Sequence, residues 1–292
     1  MISGTYLSSS SLVNLASIQK KPNFVQVDLT EKDAVFKLLS NEKPDIIFHL
    51  AAFPAIGSSF DKPLETIINN VACQVNLLEA VRHEKLKNCR ILVVSSADVY
   101  GKISAGDLPI DENTPFNPTN AYAVSKITQD YLGLQYFLSY NLHIIRARPF
   151  NHVGPAQAAG FVIADWAKTI AQIEKGEIEP VLRVGNLNVK RDFTDVRDMV
   201  AAYVLLIEKG KPGEVYNIGS DVSHNISNIL DMFLSLSKVK INVQVDAKLL
   251  RPEDALDRLC DSSKFRKLTH WKPLIPIAQT LKDTLDYWRN IV

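Results

Sequence analysis

Cysteine is scarce. Three occur in 292 residues, Cys73, Cys89 and Cys260, in no metal-like spacing, which argues against a disulfide framework and a bound metal and fits a reducing, cytoplasmic compartment. An excess of one charge is also missing: 33 basic against 32 acidic residues leave +1, too little field to gather nucleic acid or an anionic membrane surface, although local basic sites stay open. No stretch approaches the roughly 18 uninterrupted apolar residues of a membrane span, and MISGTYLSSSSLVNL lacks a charged region ahead of an apolar run, so neither a transmembrane helix nor a signal peptide is expected. The twelve glycines include no GxxGxxG and no GxG. There is no internal repeat and no low-complexity tract beyond the short serine run at 8–11.

What is present is a composition with 46% hydrophobic and 22% charged residues, enough for a large core. Short β-branched runs at 45–50, 90–95 and 142–147 read as buried strands, too short for helices. Between them, 64–82 and 122–140 carry apolar residues at helical spacing. An earlier unit fits the same scheme, with a strand at 24–27 and a helix at about 31–40 whose expected N-cap is Thr30. Alternating strands and helices predict an α/β fold with a parallel, doubly wound, Rossmann-like sheet. After Phe150 the character changes to loops, a helix over 161–175 and further strands and helices. The chain therefore divides at 1–150, which builds the sheet, and 151–292, a smaller region with segments returning to the sheet.

Tyr122 and Lys126 stand four apart on a predicted helix and share one face. An ammonium beside a phenol favours phenolate, making Tyr122 a candidate acid/base. Nine tyrosines would give roughly 0.7 such pairs by chance, so the spacing alone carries little. It gains weight from Ser95 and Ser96 at the C-terminal end of a predicted central strand, where open α/β sheets bind ligands. Ser96 is the candidate for orienting a substrate alcohol or carbonyl, and Ser95 reads as a backbone-positioning neighbour. His49 and His152 read as structural groups.

Ser96 with Tyr122xxxLys126, the run SSADVYG, NPTNAYAVSK and ARPFNHVGP together resemble an extended short-chain dehydrogenase/reductase. The resemblance runs over nearly the whole chain, from VDLT and HLAA to RPEDALDRLCDSSKFRKLTHWKP. RVGNLNVKRDFTDVRD and GFVIADWAKTIAQIE are most similar to the GDP-6-deoxy-D-mannose reductases, with GDP-mannose dehydratases and sugar epimerases as near relatives. The resemblance implies that Tyr122 donates the proton, that Lys126 lowers its pKa and binds the nicotinamide ribose, and that Ser96 orients the substrate. It further implies a dinucleotide-binding domain over 1–150 with Asp28, Leu29, Ala51, Ala52, Asn70 and Pro149 at the cofactor, and Asp98, Asn151, Arg191 and Arg251 at a GDP-linked nucleotide-sugar, with the arginines meeting diphosphate charge. Taken singly, Arg191 and Arg251 read as solvated.

The implied reaction is reduction of the 4-keto group of a GDP-4-keto-6-deoxyhexose with NAD(P)H. Asp98 stands where related dehydratases keep a carboxylate while Ala97 replaces a second polar group, so a 4,6-dehydratase or 4-epimerase stays open. The family opens with a strand and glycine-rich turn that cradle the cofactor diphosphate. Here ISGTYLSSS resembles the end of the second strand, so the first strand and its turn are expected to be missing through truncation or a mis-set start, leaving a gap in the sheet and two open edges. A nucleotide-sugar-binding fragment without cofactor is thus the other rival. Residues 4–8 contain no acid to hold a ribose 2′-hydroxyl, which marginally favours NADP over NAD. The resemblance also implies a homodimer through helices 64–82 and 122–140, with Tyr131, Leu134, Phe137 and Leu138 at the interface.

Overall fold

The computed structural model describes residues 1–8, 12, 14, 15, 18, 22–53, 56–250 and 257–292, leaving aside the side chains of 56–58. The chain forms two compact units. One comprises Met1–Val94, Asn120–Arg146 and Lys211–Glu214; the other comprises Ser95–Thr119, Ala147–Gly210 and Val215–Val292. The expected division at residue 150 is thus replaced by an interleaved one, because the chain leaves the first unit at the C-terminal end of a strand at Val94 and again within the strand that follows at 143–149.

In the first unit β1 (Ser3–Tyr6) pairs in parallel with β2 (Asn23–Gln26), Ser3 opposite Asn23. Helix α1 (Lys32–Glu42) follows. Thr30 does not cap it: the cap position is Glu31, without a side-chain bond. The Thr30 hydroxyl and N–H instead donate to Asp28 Oδ1, at 2.7 and 2.9 Å, closing a local turn at DLT. Strand β3 (Ile46–His49) pairs in parallel with β4 (Arg90–Val94), and α2 (Ile56–Asp61) and α3 (Pro63–His83) lie between them in sequence. Pro63 suits the first turn of α3, where its missing N–H leaves no acceptor unpaired, and Arg82 and His83 suit the carbonyl end. Helix α4 (Ala121–Tyr140) ends at Asn141 in the left-handed region, φ 54°.

Strand β5 (His143–Pro149) runs past the predicted end and follows β4 in the hydrogen-bonded order β3-β4-β5-β9, where β9 is Val215–Ile218. Among the described residues β1 and β2 form a sheet of their own, separate from this one. Val35 and Leu39 of α1, Leu77, Leu78 and Val81 of α3, Ile91 and Val93 of β4, and Tyr136 of α4 make the first core. Each large apolar side chain so buried contributes about 1.5–3 kcal/mol.

In the second unit β6 (Asn151–Val153) and β8 (Lys190–Asp195) are parallel, and β10 (Ser223–Asn225) adds antiparallel to β8. Strand β7 (Val181–Val184) pairs with β11 (Asn242–Val245). Helices α5 (Val162–Glu174), α6 (Val196–Lys209), α7 (Ile226–Leu236), α8 (Ser263–Thr269) and α9 (Ile277–Ile291) complete it. Trp166 and Ile170 of α5, Phe193 of β8, Ile229 and Phe233 of α7, and Leu281 and Leu285 of α9 share the second core. Among the described residues no helix is long and apolar enough to cross a membrane.

Candidate active site

Asn120 caps α4, its side-chain oxygen accepting from the Ala123 N–H at 2.8 Å. That start places Tyr122 in the first turn and Lys126 one turn on, along one face. The Lys126 ammonium lies 5.8 Å from the centroid of the Tyr122 ring, within cation–π range. It donates to the carbonyl oxygen of Val94, the last residue of β4, at 2.9 Å. Both side chains are buried, and desolvation lowers the Lys126 pKa to about 8.

His49 ends β3 opposite Val93 of β4. Burial first, and the Lys126 charge second, lower its pKa to about 3, so the imidazole is neutral at physiological pH. Its Nε2 is buried with no hydrogen-bond partner among the described residues.

Asn70, expected at the cofactor, has no exposed surface. Its Oδ1 accepts from the Phe53 N–H at 2.7 Å and from Asn69 at 3.1 Å, and its Nδ2 donates to Ser125 Oγ at 2.9 Å. Ser125 in turn donates to the Tyr122 carbonyl, at 2.7 Å. Asn70 thereby ties the turn bearing Ala51 and Ala52, which follows β3, to the helix bearing Tyr122 and Lys126. Asp28 and Leu29 lie in the turn after β2, where the Leu29 and Thr30 carbonyls accept from Asn76 of α3 at 3.0 and 2.8 Å.

The remaining described candidates belong to the second unit. Ser96 and Asp98 open the run ADVY, a single 3-10 turn over Ala97–Tyr100. Ser96 Oγ accepts from the Asp98 N–H at 3.1 Å and donates to Asp98 Oδ2 at 3.4 Å. Asp98 Oδ1 accepts from Arg258 Nη1 in a mostly buried ion pair. Gly101 closes the turn at φ 55°, where a Cβ would stand 1.7 Å from the Asn117 carbonyl oxygen, so glycine is required there. Pro149 ends β5. Asn151 lies opposite Phe193, two residues from Arg191 on β8, so Asn151 and Arg191 face the same side of their sheet. Arg251 lies outside the described residues.

Sequence reasoning missed three buried polar groups here. Arg258 gave no signal beyond a charge in the run ALDRLC. Arg148 lies 4.5 Å from the Phe116 ring centroid and donates to Tyr100 Oη at 3.0 Å, while Tyr100 Oη donates to Asn217 Oδ1 at 2.7 Å. Asp192 is fully buried, its pKa raised to about 6 by desolvation, with both oxygens accepting: Oδ1 from the Ser220 N–H and hydroxyl, Oδ2 from the Asp221 and Cys260 N–H groups.

Residues 4–284 match the family described as GDP-mannose 4,6 dehydratase. The chain is 34% identical over 265 residues to the GDP-6-deoxy-D-mannose reductase of Pseudomonas aeruginosa, covering 91% of this chain and 86% of that one. It is 28% identical to GDP-mannose 4,6 dehydratase 1 of Arabidopsis thaliana, over 89% of this chain and 72% of that one. Among solved structures it is similar to RMD from Pseudomonas aeruginosa complexed with NADPH, at 32% identity, TM-score 0.86, and coverage of 97% of this chain and 95% of that one. It is also similar to the Thermus thermophilus UDP-glucose 4-epimerase complexed with NAD, at 25% identity, TM-score 0.82, and coverage of 96% and 90%.

Proposed function

The chain belongs to the GDP-mannose 4,6 dehydratase family of nucleotide-sugar enzymes, and we propose that within it this protein reduces the 4-keto group of a GDP-4-keto-6-deoxyhexose at the expense of NADPH. The observation that carries the reading is the anchoring of Lys126 to the Val94 carbonyl with the Tyr122 ring alongside, at the C-terminal end of a parallel strand. A phenol, an ammonium and a hydroxyl are the donor set that suits ribose and carbonyl oxygens, so these residues fit the nicotinamide end of such a cofactor. When bound, the cofactor supplies a hydride.

The chain's own residues do the rest. Tyr122 Oη delivers a proton to the oxygen of the reduced carbonyl, and the Lys126 ammonium stabilises the phenolate left behind. Ser96, two residues beyond Val94, donates its hydroxyl to the same carbonyl oxygen. Asn151, Arg191 and Arg251 hold the GDP moiety, the arginines at its diphosphate. Asp28 and Leu29 serve the adenine end of the cofactor, Ala51 and Ala52 its diphosphate, and Pro149 the nicotinamide; the sequence offers no GxxGxxG turn for that diphosphate. Asn70 acts on the cofactor through the Phe53 turn that it holds.

NADPH is proposed over NADH because the 32%-identical relative was solved with NADPH and residues 4–8 carry no acid. Reduction is favoured over dehydration because Asp98, the carboxylate available for elimination, is already an acceptor for Arg258. The test is incubation with NADPH and GDP-4-keto-6-deoxymannose. Loss of NADPH absorbance matched by formation of a GDP-6-deoxyhexose supports the reading. Conversion of GDP-mannose without added NADPH would establish a dehydratase instead, and tight GDP binding without NADPH binding would establish a binding fragment.

A further inference from the structure

Resting on the reductase reading, we infer that Arg258 is a positioning residue: it keeps the Ser96 hydroxyl available to the substrate by holding the Asp98 carboxylate at the far end of a long, weak bond to it. Ser96 Oγ has one proton to give. That oxygen donates to Asp98 Oδ2 at 3.4 Å, a long, weak bond beside the roughly 2.6 Å of a good hydroxyl–carboxylate one. The carboxylate is held at that distance by its other oxygen, which accepts from Arg258 Nη1.

Arg258 is itself firmly placed. The Asp192 N–H donates to its carbonyl at 3.0 Å, and the next residue's carbonyl accepts from the Ile110 N–H at 2.8 Å. The Cys260 N–H donates to Asp192 Oδ2 at 3.3 Å and the Asp261 N–H to the Ile110 carbonyl at 2.8 Å, so the guanidinium grows from backbone fixed at Arg258 and at the three residues after it. Its Nε is buried without a partner among the described residues, and Asp98 accepts from its Nη1.

The side chains of Asp98 and Arg258 are only 13% and 11% exposed. Removing the guanidinium strands a desolvated carboxylate, and such a group takes the nearest donor. That donor is the Ser96 hydroxyl, already aligned by the Asp98 N–H. Once its long bond to Asp98 shortens, the hydroxyl no longer donates to a substrate carbonyl, and the transition state loses that hydrogen bond.

Crystal structures of the wild type, Arg258→Ala and Arg258→Lys test this directly. The Ser96 Oγ to Asp98 Oδ2 separation should close to about 2.7 Å in Arg258→Ala and stay open in Arg258→Lys. An unchanged separation in Arg258→Ala overturns the inference whether or not the protein reduces anything. Arg258→Gln, which keeps much of the length and loses the charge, serves the same comparison if Arg258→Ala does not fold.

Kinetics with NADPH and GDP-4-keto-6-deoxymannose add a second criterion. Arg258→Ala should lower kcat by about tenfold or more with KM within about threefold, and Arg258→Lys should recover most of the loss. In a Ser96→Ala background the same change should alter kcat by less than about twofold, whereas an equal loss in both backgrounds would mark a merely structural residue and overturn the inference. If the wild type does not turn over this substrate, the reductase reading falls while the crystallographic comparison still decides the role of Arg258.

Discussion

The Lys126 ammonium is bonded to the Val94 carbonyl at 2.9 Å, so α4 is fastened to the end of the strand from which the chain continues to Ser96. One buried cation thus orders the helix bearing Tyr122 and, in the proposed reduction, supplies the charge its phenolate needs.

Its titration has two opposite consequences. Reduction that uses the ammonium should decline as pH rises through about 8. Stability should move the other way: with a folded pKa below the unfolded one of about 10.4, the unfolded chain binds more protons between these values, and stability rises with pH there. Lys126→Met should abolish this rise in denaturant unfolding at pH 7 and 10, and should lower kcat by about a hundredfold or more.

His49 sets an acid limit. Its folded pKa is lowered to about 3, so its contribution is fully present above its unfolded value and is lost as pH falls. Below an unfolded pKa of about 6.5 the unfolded chain takes up the proton first, and the loss approaches about 1.4 kcal/mol per pH unit. His49→Gln should flatten the fall in urea-unfolding free energy between pH 6 and pH 4. An equally steep fall in the variant would assign the acid sensitivity to other groups.

Arg146 of β5 and Asp130 of α4 form a buried ion pair at 2.6 Å through Nη1, with Arg146 Nη2 donating to the Gly213 carbonyl at 2.8 Å. Asp130→Ala leaves that charge unmatched and should cost about 3–5 kcal/mol. The double replacement Asp130→Leu with Arg146→Met should recover much of the loss, as chemical denaturation of the three variants will report.

The proposed homodimer rests on a narrower stripe than the sequence indicated. Val124, Tyr131 and Leu138, seven residues apart on α4, are exposed, as are Leu64 and Ile68 on α3. Leu134 and Phe137 are half-buried instead, and Phe137 lies against Gly213, where a Cβ would stand 2.3 Å from its ring. Tyr131→Lys with Leu138→Glu should convert a dimer to a monomer in sedimentation velocity while leaving the unfolding midpoint of the monomer unchanged. A wild type already monomeric at micromolar concentration would end the dimer proposal.

Helix and strand positions were legible because burial imposes a period on the residues themselves: 64–82 and 90–95 differ from the observed α3 and β4 by at most one residue at any end. The Thr30 cap was misread because the Asp28 carboxylate offers its hydroxyl a nearer partner than the helix does. Tyr122 and Lys126 could be paired from their spacing, since a helix fixes which residues share a face.

The sequence by itself determined the alternation of strands and helices, the α/β class, the facing of Tyr122 and Lys126, and the family. Each of these depends on residues near one another in the chain or on a pattern carried along it. Tertiary structure alone decided that Lys126 bonds to Val94, that Arg258 holds Asp98, and that Asn70 braces the Phe53 turn. Partners 32 and 160 positions apart leave no periodic trace, and a buried charge finds its counter-charge only when the fold brings the two together.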